Sequence, residues 1–440
     1  MDEDDPEGIA RAYVALGLRL GRVAPGLVDA FVGDPGIARR VEAEPFPDPD
    51  VLRRDATALR HRLVGAFPDP ARAEYLDAQL AACEVIAARA GGQEVGVVDE
   101  IRRCLGVVVA PGEPDAYRAA HRRLAEVLGT TPRRLPRVLA AFRRRDQVAP
   151  EHLHPGLAVM TTALHERTRE AVGLPAGERV DLEIVTGVPW AGFAHRVGPG
   201  RSVVQVSRDA GHRRAHLPQL AAHEAYPGHH TETTRVELAD APAPERTLFL
   251  ARTPQSLVAE GVAECGLDAV VGPGWGTWAA GHLAGAGVPT TAGEGALGEA
   301  VEDAMVPLAA VRQDAALLLH GGRGVDREEQ ARAHLRRWLL IDDERAGRML
   351  EFLGHPRWRI HTTTYVEGAG LVRRWLAARP EDEAVGSRFA RLLDGPWTPD
   401  GLRRGSVTGS TISDTQGDDD SGRDERFPSF VEGPSTSPTV

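Results

Sequence analysis

Residues 223–230 read His-Glu-Ala-Tyr-Pro-Gly-His-His. A His-Glu pair on a helix followed closely by another histidine is how zinc hydrolases obtain two neutral imidazole ligands and a general base from one short segment. The chemistry this points to is metal-assisted hydrolysis. The spacing is not the ordinary H-E-x-x-H, because the position four residues after His223 is Pro227, which has nothing to donate to a metal. On a straight helix His229 lies about 240° round the axis from His223, and His230 returns to the starting face only roughly 10 Å further along. Extruding Pro227-Gly228 as a two-residue bulge puts His229 where the missing ligand belongs. Proline ends one hydrogen-bonded run, and glycine takes the backbone angles needed to restart it. The expected ligands are therefore His223 and His229, with His230 as the alternative second ligand. A second pair, His165-Glu166, is followed by no histidine nearby and carries no such expectation.

A third ligand has to come from elsewhere in the chain. Residues 257–268 read as a helix with Glu260, Glu264 and Asp268 in one row and apolar residues on the other faces. Like charges at this spacing repel by a few tenths of a kcal/mol per pair, so the row favours a cation. One carboxylate completes a two-histidine, one-glutamate set, and the next can hydrogen-bond a ligand imidazole from behind. Glu260 is the expected ligand and Glu264 the expected support, with Glu264 as the fallback ligand.

The two segments together resemble a bacterial family of unknown function classed with gluzincin-type zinc peptidases. Its signature is H-E-x-x-P-G-H-H followed by a helix carrying E-G-x-A, present here as His223–His230 and Glu260-Gly261-Val262-Ala263. Further similar stretches are Tyr13–Leu18, Pro25–Ala30, Pro189-Trp190, Arg201-Ser202 and Tyr365-Val366-Glu367-Gly368, so the resemblance runs from about residue 8 to about residue 400. It implies a mainly α, large helical zincin-like metallohydrolase, and it implies no substrate. Cys265 departs from the aromatic or aliphatic residue expected at its position.

A mechanism follows from these parts. Three protein ligands leave zinc one position for water, whose pKa then falls toward about 7. Glu224 points about 100° away from His223 on the helix. It is therefore placed to act as the base and not as a ligand, taking the water's proton and passing it to a leaving amine. The tetrahedral oxyanion needs a donor, for which Tyr365 is the first candidate and His361 the second. The reading is a zinc-dependent peptidase or amidase acting on a small peptide or amide. The same ligand set could instead hold Fe(II) for redox chemistry, or serve a binding scaffold without turnover.

Several elements must position these residues. Residues 181–187 and 201–207 have strand character and predict a small sheet or hairpin beside the active-site helix, where an edge could receive an extended substrate backbone. Helical periodicity marks 8–32, 50–92 and 114–147 as an N-terminal helical region over 8–147. A catalytic region over 148–405 follows, with helices near 157–173, 213–240, 253–271, 294–320, 326–353 and 360–379. The stretch 272–287, rich in Gly, Trp and Ala, reads as a mobile wall of the cleft. Residues 1–7 and 406–440 read as acidic, disordered ends.

The formal charge of −11 is concentrated at those ends: residues 2–7 hold five acids and no base, and residues 406–440 hold seven acids against two arginines. The nearly neutral body argues against nucleic acid or an anionic membrane as partner. All 52 basic residues are arginine. Three cysteines without C-x-x-C spacing fit a reducing compartment, and neither a leader nor a membrane-length apolar run is present, so the expected location is cytoplasmic. Nothing in the sequence sets an oligomeric state.

Overall fold

Asp-Pro dipeptides start the N-terminal helices. At Asp5, Asp34, Asp48 and Asp69 the aspartate side chain accepts a hydrogen bond from a backbone N–H two or three residues on, and the following proline occupies the first helical turn. Each pair satisfies an otherwise orphaned donor and presets φ for the helix. The same logic starts the helix Pro254–Val270, where Thr253 and Ser256 form a reciprocal capping box. That cap fixes where the helix begins, and therefore which way Glu260 and Glu264 face.

In the computed structural model the described residues are 5–188, 190–321 and 326–407. Pro189, the first four residues and the acidic tail beyond 407 lie outside them. The ends expected to be disordered are in part helical: Pro6 and Glu7 begin the first helix, and residues 406 and 407 close the last, Pro399–Val407.

The protein is mostly helical with a small sheet, as the sequence predicts. The described residues hold five strands: β1 (Val28–Phe31), β2 (Arg179–Val185), β3 (Gly192–Gly198), β4 (Arg201–Ser207) and β5 (Leu248–Leu250). β4 is central in a three-stranded sheet, parallel to β2 and antiparallel to β3, while β1 and β5 pair antiparallel. β2 and β4 fall where alternation placed strands; β3 lies between them, where no strand was expected. Several expected helices are shorter or split. The first ends at Val23, because residues 28–31 form β1. The 294–320 helix is interrupted by a 3₁₀ turn at Val306–Ala309, and the 326–353 helix divides at Leu340, whose φ is 51°. Residues 272–287 are not a loose wall but carry the helix Trp275–Gly285, whose Gly276 meets Gly295 of the helix Ala292–Met305 backbone to backbone.

The boundary expected at 147/148 does not divide the structure. Leu16, Leu80 and Ile101 share one apolar cluster with Leu257, Val372 and Phe389, and Tyr117 and Leu139 share another with Val311 and Leu335. A third cluster packs β4 against the helices Pro150–Ala171 and His216–Glu224. Neither half can bury its apolar faces alone, so the described residues form one compact unit.

Candidate metal centre

The segment expected to be one helix over 213–240 is two, His216–Glu224 and His229–Glu237. Between them the Tyr226–Pro227 peptide is cis. The Gly228 N–H donates to the Ala222 carbonyl at 2.9 Å, and the Thr231 N–H and hydroxyl both donate to the Ala225 carbonyl, at 3.3 and 3.1 Å. These bonds stitch the second helix onto the end of the first. A β-carbon at Gly228 would collide with the His223 and Ala222 carbonyl oxygens, so only glycine fits this corner. The ring of Pro227 rests against Gly266 of the helix Pro254–Val270, which brings the two carboxylates of that helix under the corner.

The corner turns His229 toward His223. Their Nε2 atoms lie 3.2 Å apart, and Glu260 Oε2 is 3.2 Å from the first and 3.6 Å from the second. Ligands at about 2.0–2.1 Å in a tetrahedral shell stand roughly 3.3 Å from one another, so the three atoms have the spacing of one tetrahedral face. Glu260 Oε2 is buried without a hydrogen-bond partner. An orphaned carboxylate oxygen between two imidazoles is costly unless a cation joins them. His223, His229 and Glu260 thus form a group able to hold a metal ion. Glu264 Oε1 approaches His223 Nδ1 at 3.4 Å, on the side of the ring away from Glu260.

The electrostatics of this cluster are strongly coupled. Burial opposes charge on every member, yet Glu260 is held well below the usual carboxylate range by His229 and His223. Burial is likewise outweighed at His223, which Glu260 and Glu264 raise well above its ordinary value. Asp29 on β1 and Glu232 lie within electrostatic reach of the same cluster: desolvation pushes both carboxyls up, His229 opposes the rise and Glu260 adds to it.

Glu224 is buried, and its Oε2 accepts the Ala194 N–H of β3 at 3.0 Å. Gly192 leaves room for this approach, since a β-carbon there would press on Leu220 and on Glu224 itself. Tyr365 lies on a π-helical turn, Thr364–Gly368, with its ring centroid 6.0 Å from that of His223 and its hydroxyl 2.9 Å from His361 Nε2. His361 Nε2 is 3.9 Å from Glu260 Oε1. Burial, reinforced by Glu260, Glu224 and Glu264, holds the Tyr365 phenol well above its ordinary range, so it keeps its proton at neutral pH. Two glycines explain the proximity: Gly261 and Gly368 meet backbone to backbone, where a β-carbon on either would clash. Cys265 fills a small buried space beside Ala369, its thiol pushed up to about 12 by burial.

His230 points away from this group. Its Nδ1 bonds Ser202 Oγ and its Nε2 bonds Glu178 Oε2, both at 2.8 Å. Glu178 also accepts the Tyr226 hydroxyl at 2.5 Å and pairs with His165 at 2.9 Å. The fallback ligand is thus a buried anchor for the corner. Glu178 carries no signal of its own in the sequence, although its partners His165, Tyr226 and His230 stand out there.

No family model and no curated protein matches the chain. Solved structures resemble its chain path at a distance. They include a candidate lipoprotein from Colwellia psychrerythraea (14% identity, covering 85% of this chain and 69% of that one, TM-score 0.48) and a candidate lipoprotein of unknown function from Shewanella oneidensis (10%, 85% and 76%, 0.49). Another is the M32 carboxypeptidase of Deinococcus radiodurans R1 (17%, 91% and 94%, 0.42). No helix among the described residues is long and apolar enough to cross a membrane.

Proposed function

We propose that the protein is a zinc-dependent metallopeptidase that hydrolyses peptide or amide bonds in small substrates, with His223, His229 and Glu260 as the ligands. The observation that carries this reading is the tetrahedral spacing of three donor atoms, one of them the orphaned Glu260 oxygen. A divalent cation there would supply Lewis acidity and a water acidic enough to ionise near neutral pH.

The chain's own residues supply the rest. Glu224 holds one oxygen on the Ala194 N–H, which fixes the carboxylate plane and leaves its other oxygen to take a proton from water and deliver it to the departing amine. Tyr365 keeps its proton and can turn its O–H from His361 toward an oxyanion; His361 is then the group that orients the phenol. The Ala194 N–H points away from β4, so the outer backbone groups of β3 face the site and offer an edge to an extended peptide.

The test is a mass-spectrometric screen of mixed short peptides, with and without chelator, on the parent and on Glu224→Gln, alongside metal analysis. Zinc near one equivalent in both proteins is expected, with chelator-sensitive cleavage by the parent only. Cleavage by Glu224→Gln at the parent's rate would refute the mechanism. Near-stoichiometric iron would favour redox chemistry instead.

A further inference from the structure

Only two non-glycine residues among those described have a left-handed backbone, Leu340 and Arg252. Leu340 closes a helix, a common use of that conformation. Arg252 has no such role: it lies with φ of 61° immediately before the cap residue Thr253. A left-handed arginine is uncommon and is held only where its surroundings demand it.

Those surroundings are cationic. Arg252 Nε is buried without a hydrogen-bond partner, and among the described residues its guanidinium makes no ion pair. The nearest carboxylate, Glu100, is already taken twice, by Arg89 on one oxygen and by Arg359 on the other. Arg357 extends its guanidinium over Gly26, again without a carboxylate partner. Burial holds Arg252 below its ordinary range; Glu100 pulls it up, while Arg89 and Arg357 push it down. Two guanidiniums thus pair with Glu100, and those of Arg252 and Arg357 have no carboxylate partner among the described residues.

The chain path links this basic group to the metal centre. Arg252 stands two residues before Pro254, the first residue of the helix that carries Glu260. Arg357 precedes His361, which lies 3.9 Å from Glu260. The Ala251 N–H bonds the Leu27 carbonyl at 2.8 Å, and Asp29, two residues on along β1, faces His229 and Glu260.

We infer that Arg252 and Arg357 form an anion subsite at one end of the cleft, and that its ligand is the terminal carboxylate of a short peptide substrate. The substrate class rests on the peptidase reading above; the subsite itself rests on the unpartnered guanidiniums. Arginine suits a planar carboxylate, which it can engage through two parallel N–H groups.

The test measures binding and not turnover, on Glu224→Gln protein loaded with zinc. A tri- and tetrapeptide mixture is offered as free acids and as C-terminal amides, and the bound fraction is read by mass spectrometry. Free acids should be retained at least about tenfold more strongly than the matching amides. That preference should fall to near unity in Arg252→Gln, and also in Arg357→Gln, whose exposed side chain can be changed without disturbing the core. Equal retention of acids and amides, no retention of either, or a preference that survives both substitutions would overturn the subsite. If the acid preference holds while the parent cleaves nothing, the subsite stands and the peptidase reading falls. If the parent cleaves acids and amides alike with no binding preference, the reverse holds.

Discussion

At the scale of single residues, the adjacent histidines 229 and 230 separate two jobs. His229 faces His223 and Glu260, whereas His230 is bonded on both ring nitrogens, to Ser202 and Glu178. His229→Gln is expected to abolish stoichiometric zinc with little loss of stability. His230→Gln should keep the metal at high zinc but lose about 1–3 kcal/mol, because it leaves buried partners unsatisfied. Paired zinc titrations and urea melts check this, and equal metal loss in both variants would contradict the assignment. The histidine corner and the Glu260–Glu264 row were readable from sequence because ligand type and helical period are local properties. Glu178 was not, since its partners are His165, Tyr226 and His230 and nothing in its own neighbourhood marks it as buried. The Ala194 N–H was equally hidden, because a backbone donor leaves no trace in residue identity.

At the scale of elements, the site depends on a close crossing and a clamp. Gly261 on the carboxylate helix meets Gly368 beside Tyr365, and a methyl group at either position has nowhere to go. Gly261→Ala should cost upward of about 2 kcal/mol and displace Tyr365, visible as a loss of activity larger than that of Tyr365→Phe. A neutral Gly261→Ala variant would mean the crossing is slack.

The clamp holds the entrance of the active-site helix, where Glu302 engages Arg213 and His216. Burial would raise the Glu302 carboxyl, but His216 and Arg213 outweigh it and hold it at about 2. Its folded value lies below its unfolded value of about 4.3. The stabilisation is therefore fully present above about pH 5 and drains away as the pH falls toward 2. Glu302→Gln should be less stable than the parent by at most about 3 kcal/mol at pH 7, with the gap closing under acid; pH-resolved thermal melts read this directly. Element type was legible wherever the period was strong, as in β4 and the carboxylate helix. β3 was not, since Gly192, Ala194 and Gly198 dilute its alternation, and β1 and β5 are too short to show a period.

At the scale of the whole molecule, the sequence suggested a helical N-terminal region followed by a catalytic one, and the packing joins them. The carboxylate helix puts Leu257, Val262 and Cys265 into the same cluster as Ile9, Leu80 and Cys104. A chain cut down to residues 148–407 is therefore expected not to fold: it would expose that apolar face, aggregate on expression, and show no cooperative thermal transition. A soluble fragment that binds zinc and melts cooperatively would show that the two regions are separable. Composition could not reveal this, because apolar periodicity says that a face is buried and not which partner buries it.

The Pro227–Gly228 corner is held from both sides by the polypeptide, through Glu178 and Ser202 on one flank and Gly266 on the other. The donors are thus aligned before any ion arrives. Loading the proposed ion would then be closer to seating a bearing in a machined socket than to crystallising a knot around a seed.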